Sequence, residues 1–444
     1  MRIVLLGGGY SAIWCYRALR RHLGRSADIT VVAPFEDHVF HGFTGEVLSG
    51  DLPAALQVSP LPECLPHATR VRGWATAVDA ERRTVTVEWR GTRREVAYDH
   101  LVVATGARER SSSVPGLAEH GLPLRFPGEV GALIDHLSAL EAEPAADPDD
   151  ARRRRTIVVA GGGFAGTEVA AALGRRYGGT HRVVLVSASP AVAPAWRDQP
   201  WMHDRLLRNL NAAAVTVLPD ARVARVDEYG VRLASGAVIP AATVVATLGN
   251  AVPGLPGLER WQRADGLLQV DDVLRVTDRI WSAGDVAAVR TPGGALASKD
   301  AIWAIRAGTR VGRNIAREVR GGAARRLGFR GIGTVAAFAP GKAVARVYGI
   351  RMSGIVAWTV RAAFFLWYVP SRRTALRILG ASVAAGPLRA TAALGAALRG
   401  AARTTTPTGP IAAPSLFPIT GGKGRPAEAV LGAVPAERRR AAGA

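Results

Sequence analysis

Cysteine, acidic residues and long apolar runs are the features that this sequence has little of. The chain has 444 residues but two cysteines, Cys15 and Cys64, which excludes a disulfide-stapled secreted scaffold and a zinc site built mainly of thiolates. The longest apolar run, residues 354–369, is shorter than the ~20 residues of a spanning helix, and Arg361 interrupts it. Because the N-terminus runs directly into a glycine cluster with no signal-peptide core, we predict a cytoplasmic protein.

Acidic residues are absent between Glu318 and Glu428, a stretch that holds 16 lysines and arginines. The whole chain has a formal net charge of +21, so most of the excess lies in this C-terminal stretch. One-sided basic charge indicates an anionic surface, either a membrane leaflet or a nucleic acid. No recognition motif accompanies the charge, so we predict no nucleic-acid partner. His38 and His41 are close in sequence, but no further ligands join them, and we predict no metal site.

One pattern is present twice. Residues 3–6 (IVLL) predict a strand that leads into the turn GGGYSA at 7–12, a helix and a second strand. Residues 156–160 (TIVVA) and the turn GGGFAG at 161–166 begin a second such unit. Each is a βαβ unit whose glycine turn is typical of pyrophosphate binding at a helix N-terminus. The fingerprint positions are Gly7, Gly9 and Ala12 in the first turn and Gly161, Gly163 and Gly166 in the second.

Two nucleotide units in one chain suggest two cofactors that exchange electrons. Together with YDHLVVATG at 98–106 and IWSAGDVA at 280–287, they resemble the two-dinucleotide-binding-domain flavoproteins of the pyridine nucleotide-disulfide oxidoreductase superfamily. Within it, the chain is most similar to the type II NADH:quinone dehydrogenases, over about residues 1–380. The resemblance implies an α/β fold with two Rossmann-like dinucleotide-binding domains, the NAD(P) domain inserted into a discontinuous FAD domain, and a C-terminal α-helical, membrane-associating region.

Composition changes after Gly328, where the chain becomes basic, aromatic and free of acids, and again after Arg403, where bulky apolar residues are scarce. We predict an FAD domain from residues 1–115 and 245–325, an NAD(P)H domain from 116–244, a C-terminal interface or membrane-anchor region from 326–403 and a disordered tail from 404–444.

The family's site residues carry over onto positions of this sequence. The first turn and Thr105-Gly106 are expected to line FAD, and Asp285, after Gly284, is expected to bond its ribityl chain. The second turn is expected to bind the nicotinamide nucleotide, with Glu168 beside the nicotinamide. Gly249, at the end of the segment 244–249, is a further predicted cofactor-binding residue. The plain structural alternatives are an ordinary turn aspartate and a glutamate that complements a helix dipole.

Two positions depart from the family pattern at the ribose-binding acids. Ala33 and Ser187 stand where a carboxylate is usual, about 20 residues past the last glycine of each turn. Without a carboxylate at Ser187 the usual repulsion of a 2′-phosphate is absent, so NADPH is as plausible as NADH. Glu36 is a candidate replacement at the FAD end, with a solvated loop glutamate as the alternative.

The acceptor side departs from the pattern as well. Cys15 and Cys64 are far apart in sequence, so no redox dithiol is predicted and electrons should leave the flavin directly. Type II dehydrogenases carry an A-Q-x-x-x-Q helix here, whereas this chain has Ile302 and Arg306 where the glutamines are expected. Lys299 resembles a lysine of ferroptosis-suppressor-type and sulfide:quinone-type flavoproteins, where a cation would stabilise the anionic reduced flavin. A surface lysine is the alternative.

These inferences predict an FAD-dependent NAD(P)H dehydrogenase that passes hydride from NADH or NADPH to FAD and then two electrons to a quinone or another small acceptor. The aromatic and basic segment 354–403 predicts peripheral attachment to the inner face of the cell membrane, with a homodimer interface or a core helix as the alternative. Two other functions stay open. One is a soluble FAD-dependent oxidoreductase acting on a small metabolite in a biosynthetic pathway, and the other is a flavoprotein redox sensor that binds a partner.

Overall fold

The computed structural model describes residues 1–110 and 113–383. The distal part of the predicted region 326–403 and the whole predicted tail 404–444 lie outside the described residues. In chain order the strands are β1 Arg2–Leu6, β2 Asp28–Ala33, β3 Asp37–Val39, β4 Val58–Pro60, β5 Thr69–Arg72, β6 Trp74–Asp79, β7 Thr84–Trp89, β8 Thr92–Ala97, β9 His100–Val103, β10 Arg108–Glu109, β11 Thr156–Ala160, β12 Arg182–Val186, β13 Val215–Leu218, β14 Val223–Asp227, β15 Gly230–Leu233, β16 Val238–Pro240, β17 Thr243–Ala246, β18 Asn250–Ala251, β19 Arg275–Thr277, β20 Ile280–Ser282, β21 Gly333–Ala339, β22 Lys342–Val347 and β23 Ile350–Ser353.

Helices connect and cover these strands. The α-helices are α1 Tyr10–Leu23, α2 Thr44–Leu48, α3 Leu61–Cys64, α4 Leu117–His120, α5 Glu129–Ala142, α6 Pro148–Arg154, α7 Phe164–Tyr177, α8 Pro200–Ala212, α9 Ala301–Val319 and α10 Gly354–Tyr368. Short 3₁₀ turns lie at His41–Phe43, Ala54–Gln57, Pro194–Trp196 and Glu259–Trp261. Residues 372–383 are also helical.

The first sheet has six strands in the order β19-β20-β9-β1-β2-β5. Strand β1 pairs in parallel with β2 and β9, and Leu5 stands between Val31 and Val102 in this register. Strand β20 extends the parallel part beside β9, and β19 closes the edge antiparallel. The central strands are continuous apolar runs because both faces are buried under other elements, as is usual for parallel sheets.

The second sheet has four parallel strands in the order β13-β12-β11-β17. All five residues of β11 are buried, and Val158 stands between Val184 and Val244. The first sheet takes its strands from chain segments on both sides of the second one. The predicted α/β fold with two Rossmann-like units is therefore confirmed, whereas the predicted boundaries at 115, 244 and 325 stay predictions.

A C-terminal sheet, β21-β22-β23, follows the second half of the first sheet, and α10 packs on β22. Ala343, Ala345 and Ala357 form a small buried cluster between them. Within residues 1–110 and 113–383, no helix combines the length and the apolar character that crossing a membrane requires. The predicted C-terminal region was expected to be α-helical, and the structure has a helix there: α10 covers most of the apolar run 354–369.

Candidate active site

The first glycine turn joins β1 to α1 at the carboxyl end of the parallel strands. Gly7 has φ of 117°, and a Cβ there would lie 2.3 Å from the carbonyl oxygen of Ala104, so a side chain is excluded. Gly9 is the N-cap of α1, and nothing lies within 4 Å of the position its Cβ would take. An open helix N-terminus of this kind presents unpaired N–H groups to an anion.

The second turn repeats this geometry between β11 and α7. Gly161 has φ of 123°, and its Cβ would lie 2.2 Å from the carbonyl oxygen of Thr247. Gly163 is the N-cap of α7, with open space at its Cβ position. Gly166 lets α7 approach the turn, since a Cβ there would lie 1.8 Å from the carbonyl oxygen of Gly161. Both turns therefore have the backbone that a dinucleotide pyrophosphate requires.

A cavity of about 980 Å³ extends from the first turn toward α7 and α10. It is large enough for a cofactor of dinucleotide size and is the natural candidate site. Among the residues predicted from sequence, those that line it are Gly7, Gly9, Thr105, Gly106, Glu168, Gly249, Asp285, Lys299 and Ile302. Those that do not line it are Ala12, Gly161, Gly163, Gly166, Ser187, Gly284 and Arg306.

Asp285 follows β20 and points its carboxylate at an arginine. Its Oδ2 lies 2.9 Å from Nη2 of Arg125, and both side chains line the cavity. The backbone N–H groups of Arg125 and Phe126 donate to the Glu129 carboxylate at 2.6 and 2.7 Å, which fixes this segment ahead of α5. Arg125 was not predicted, because it lies in an irregular stretch with no motif around it.

The predicted acceptor residues separate in the structure. Lys299 is exposed and lines the cavity one residue before Asp300, whose carboxylate caps α9 by accepting from the N–H of Trp303 at 3.0 Å. Ile302 lines the cavity from the first turn of α9. Arg306 lies one turn further along, over the ring of Phe329 and outside this cavity. The role predicted for Arg306 at an acceptor site stays a prediction.

Glu168 is a half-buried acid in the first turns of α7. One carboxylate oxygen accepts from the N–H of Ala337 in β21 at 3.0 Å, which ties the second glycine unit to the C-terminal sheet. Burial raises the pKa of Glu168, and the nearby Arg361 opposes that shift. Arg361 itself donates to the Glu46 carboxylate at 2.6 Å and to the carbonyl of Gly42 at 2.7 Å. This buried ion pair fixes α10 against the cavity.

Two further residues that line the cavity, Tyr10 and His38, were not among the predicted site residues, although Tyr10 belongs to the first glycine turn. Their rings meet edge to face, with centroids 4.5 Å apart. Nδ1 of His38 lies 3.1 Å from the carbonyl oxygen of Gly8, and Nε2 has no partner among the described residues. Burial lowers the pKa of His38 to about 3, so the ring is neutral and Nε2 is free to accept a hydrogen bond. Burial also raises the pKa of the Tyr10 phenol.

A second group of aromatic side chains, Phe35, Trp74 and Phe126, also lines the cavity. Phe35 contacts Phe126 with centroids 5.0 Å apart and Trp74 with centroids 5.9 Å apart, and the guanidinium of Arg108 lies 4.4 Å from the Trp74 ring. The next residue, Glu109, is half-buried, and burial raises its pKa to about 7. Stacking surfaces of this kind suit the flat ring of a nucleotide.

Ala33 and Ser187 stand at the two positions where a ribose-binding carboxylate is usual. Ala33 ends β2 and lines the cavity, whereas Glu36 is exposed, pairs with Arg72 at 3.0 Å and does not line it. The role predicted for Glu36 at the FAD end stays a prediction. Ser187 follows β12, is buried, and donates its hydroxyl to the carbonyl of Ser189 at 3.2 Å. Among the described residues, no group of three or more histidines, cysteines and acids could hold a metal ion.

With this geometry in place, comparison with known proteins identifies the class. A family model described as "Pyridine nucleotide-disulphide oxidoreductase" matches residues 1–308, and the chain belongs to this family. Family membership implies FAD and NADH as the cofactors, and the two open glycine turns and the cavity that the first turn lines fit such nucleotides.

The chain is similar to several members in particular. It is 30% identical over 310 residues to an NADH dehydrogenase-like protein of Mycobacterium tuberculosis, a match that covers 65% of this chain and 73% of that protein. It is 26% identical over 390 residues to the demethylphylloquinone reductase NdbB of Synechocystis, covering 83% and 92% of the two chains. The structure of NDH2 from Plasmodium falciparum in complex with NADH superimposes with a TM-score of 0.76 at 14% identity and covers 86% of this chain and 97% of that chain.

Proposed function

We propose that this protein is an FAD-dependent NADH or NADPH dehydrogenase that reduces a quinone. The observation that carries the proposal is the central cavity of about 980 Å³, which is lined by the first glycine turn, by Asp285, by the start of α7 and by the aromatic face of α10. Bound FAD would supply two-electron chemistry between a nucleotide donor and the acceptor. Relatives that are named as NADH:quinone oxidoreductases or as a demethylphylloquinone reductase, at 26–27% identity, support this assignment.

The chain's own residues would hold the two nucleotides. The first turn, with Thr105 and Gly106, would hold the FAD pyrophosphate, and Asp285, oriented by Arg125, would accept hydrogen bonds from the ribityl hydroxyls. The second turn would hold the nicotinamide nucleotide, with Glu168 at the near end of α7. Lys299 would supply positive charge that stabilises the reduced flavin, and this contribution is greatest in a site closed to water.

Electrons would leave the flavin without a protein dithiol. Cys15 and Cys64 are both free and buried, and neither lines the cavity. Burial raises the pKa of both thiols, that of Cys64 to about 12, so neither is a thiolate at neutral pH. An acceptor must therefore reach the cavity itself.

The wall nearest α10 suits a flat apolar acceptor. Phe364, Phe365 and Tyr368 of α10 line the cavity together with Ile302 and Ile332. Aromatic and branched aliphatic side chains of this kind bind a quinone ring and its isoprenoid tail by burial of apolar surface. Ile302 in place of a glutamine keeps this wall apolar.

The outer side of the same region supports peripheral membrane attachment. Trp367, in α10, and Leu376, in the helical stretch 372–383, are each 69% exposed, and Arg372, Arg373 and Arg377 lie in that second stretch. Exposed apolar side chains beside arginines suit the interface of an anionic bilayer. Trp367→Ser with Leu376→Ser should reduce pelleting with phosphatidylglycerol-containing vesicles. Tyr229→Ser, at an exposed tyrosine in the β14–β15 turn, should leave pelleting unchanged.

A second candidate function is a soluble FAD-dependent oxidoreductase that acts on a small metabolite. The residues Ile302 and Arg306, which stand where a quinone-site helix would carry glutamines, favour it. Steady-state oxidation of NADH and NADPH with and without a soluble quinone analogue separates the two. Strong stimulation by the quinone supports the first proposal, and turnover that no quinone accelerates contradicts it.

A further inference from the structure

Three arginines of α9 line a second, smaller cavity that the proposed redox chemistry does not use. Arg306, Arg310 and Arg313 are spaced four and three residues apart and so share one face of the helix. With Thr309 and the segment 327–329 they enclose about 240 Å³, and none of these residues lines the central cavity. The volume is below that of a drug-sized site and suits a small ligand.

The packing of α9 directs this face outward. Its opposite face lies against α1, where a Cβ at Gly308 would be 2.2 Å from the carbonyl oxygen of Ser11. At Gly312 a Cβ would be 2.5 Å from the carbonyl oxygen of Cys15. Such close backbone approach leaves no room for the helix to rotate and cover its arginines.

The other wall of the small cavity is held in place by a buried side chain. Asn314, which is fully buried, donates to the carbonyls of Val273 and Arg325 at 2.9 Å each and accepts from the N–H of Arg325 at 3.0 Å. Phe329 packs on Trp303 with ring centroids 4.7 Å apart. The segment after α9 is therefore fixed beside the arginines, and the cavity is formed before any ligand arrives.

The part of the chain that the structure describes supplies no ion-pair partner for the positive charge at this site. Within residues 1–110 and 113–383, none of the three arginines has an ion pair. The acids nearby pair elsewhere, Glu318 with Arg275 and Asp272 with Arg326. Partial burial, and after it the charges of Arg317, Arg313 and Arg325, hold the pKa of Arg310 below its usual value.

We propose that this cavity, the α9 arginine site, binds the phosphoryl group of a small anion. Guanidinium groups bind phosphate oxygens through paired, charge-assisted hydrogen bonds, and three of them converge here around a volume that fits such a group. The Cβ position of Gly328 is open, so the backbone leaves space for the ligand. The phosphoryl group can belong to a soluble phosphate compound or to a lipid headgroup.

Calorimetric titration of the flavin-loaded full-length protein with pyrophosphate at low ionic strength tests the proposal. We expect saturable binding by the wild type and at least about tenfold weaker binding by Arg310→Gln with Arg313→Gln, because each lost contact is charge-assisted. The matched control is Arg93→Gln with Arg94→Gln, which removes two exposed charges on β8 and should bind like the wild type. Unchanged flavin absorbance and melting temperature verify that the variants are folded.

A parallel experiment distinguishes the two sources of the phosphoryl group. Weaker pelleting of the double variant, but not of the control, with phosphatidylcholine vesicles that contain phosphatidylglycerol assigns a lipid headgroup. Unchanged pelleting together with weakened pyrophosphate binding assigns a soluble ligand. The absence of saturable pyrophosphate binding by the wild type, or equal affinity in all three proteins, would overturn the proposal whatever the outcome for the redox function.

Discussion

Nη2 of Arg125 lies 2.9 Å from Oδ2 of Asp285, in a pair whose side chains are 21% and 19% exposed. Arg125 precedes α5, in the segment that leads toward the second sheet, whereas Asp285 follows β20 of the first sheet. The pair therefore links the two halves of the molecule at the wall of the central cavity. It also orients the carboxylate that we assign to the flavin.

Asp285→Ala should weaken flavin binding at least about tenfold, because it removes charge-assisted hydrogen bonds to the ribityl chain. The flavin content of the purified protein, read from its visible absorption, and the flavin dissociation constant measure this. Asp278→Ala is the control, since Asp278 is exposed and its contact with Arg279 is long, at 3.5 Å. Full flavin retention by Asp285→Ala would remove Asp285 from the cofactor site.

Ser187→Asp should discriminate against NADPH. A carboxylate at the end of β12 would repel a 2′-phosphate, so KM for NADPH should rise about tenfold or more while KM for NADH changes little. Ser187→Ala, which introduces no charge, serves as the control. Equal effects of Ser187→Asp on both nucleotides would show that the second glycine unit does not bind the adenosine ribose at this position.

Lys299→Ala should slow flavin reduction or reoxidation by about tenfold, as expected for the loss of one preorganised charge. Rapid mixing of the anaerobic protein with NADH, followed by mixing with an acceptor, separates the two half-reactions. Lys342→Ala removes an exposed lysine in β22 and should behave as the wild type. Wild-type rates in both half-reactions would mean that Lys299 is a surface lysine.

Glu109 makes stability depend on pH. Its pKa is raised to about 7 by burial, so between pH 4.5 and about 7 the folded protein binds a proton that the unfolded chain releases. The folded protein is therefore destabilised as the pH rises through this range, because the half-buried carboxyl group of Glu109 loses its proton there. Melting temperatures measured from pH 4.5 to 8 should fall less steeply for Glu109→Gln than for the wild type, and Glu119→Gln, at an exposed glutamate, should follow the wild type.

The features that the sequence predicted correctly are those defined by a few adjacent residues. The turns at Gly7 and Gly161 are defined by a few adjacent residues, and their positive φ and close backbone contacts confirm the predicted βαβ units. Ile302 and Arg306 shared one motif, yet the structure puts only Ile302 at the central cavity. One further helical turn carries Arg306 to another surface, which a motif alone does not show.

Contacts between distant segments could not be predicted. Arg125 meets Asp285 and Arg361 meets Glu46 only because the sheets and α10 fold together, and neither arginine stands in a recognisable motif. Tyr10 is different, because its place directly after Gly9 was a usable signal for a cavity residue. The pairing of the α9 arginines with the segment 327–329 likewise depends on the buried Asn314.

The central claim is that one cavity connects a nucleotide donor, FAD and a quinone, and anaerobic double-mixing absorbance measurements test it most directly. The native protein should show a flavin spectrum that bleaches on addition of NADH or NADPH. A soluble quinone analogue should then restore the oxidised spectrum within the time of steady-state turnover. Bleaching without reoxidation by any quinone would contradict the acceptor assignment, and the absence of flavin from the native protein would contradict the account as a whole.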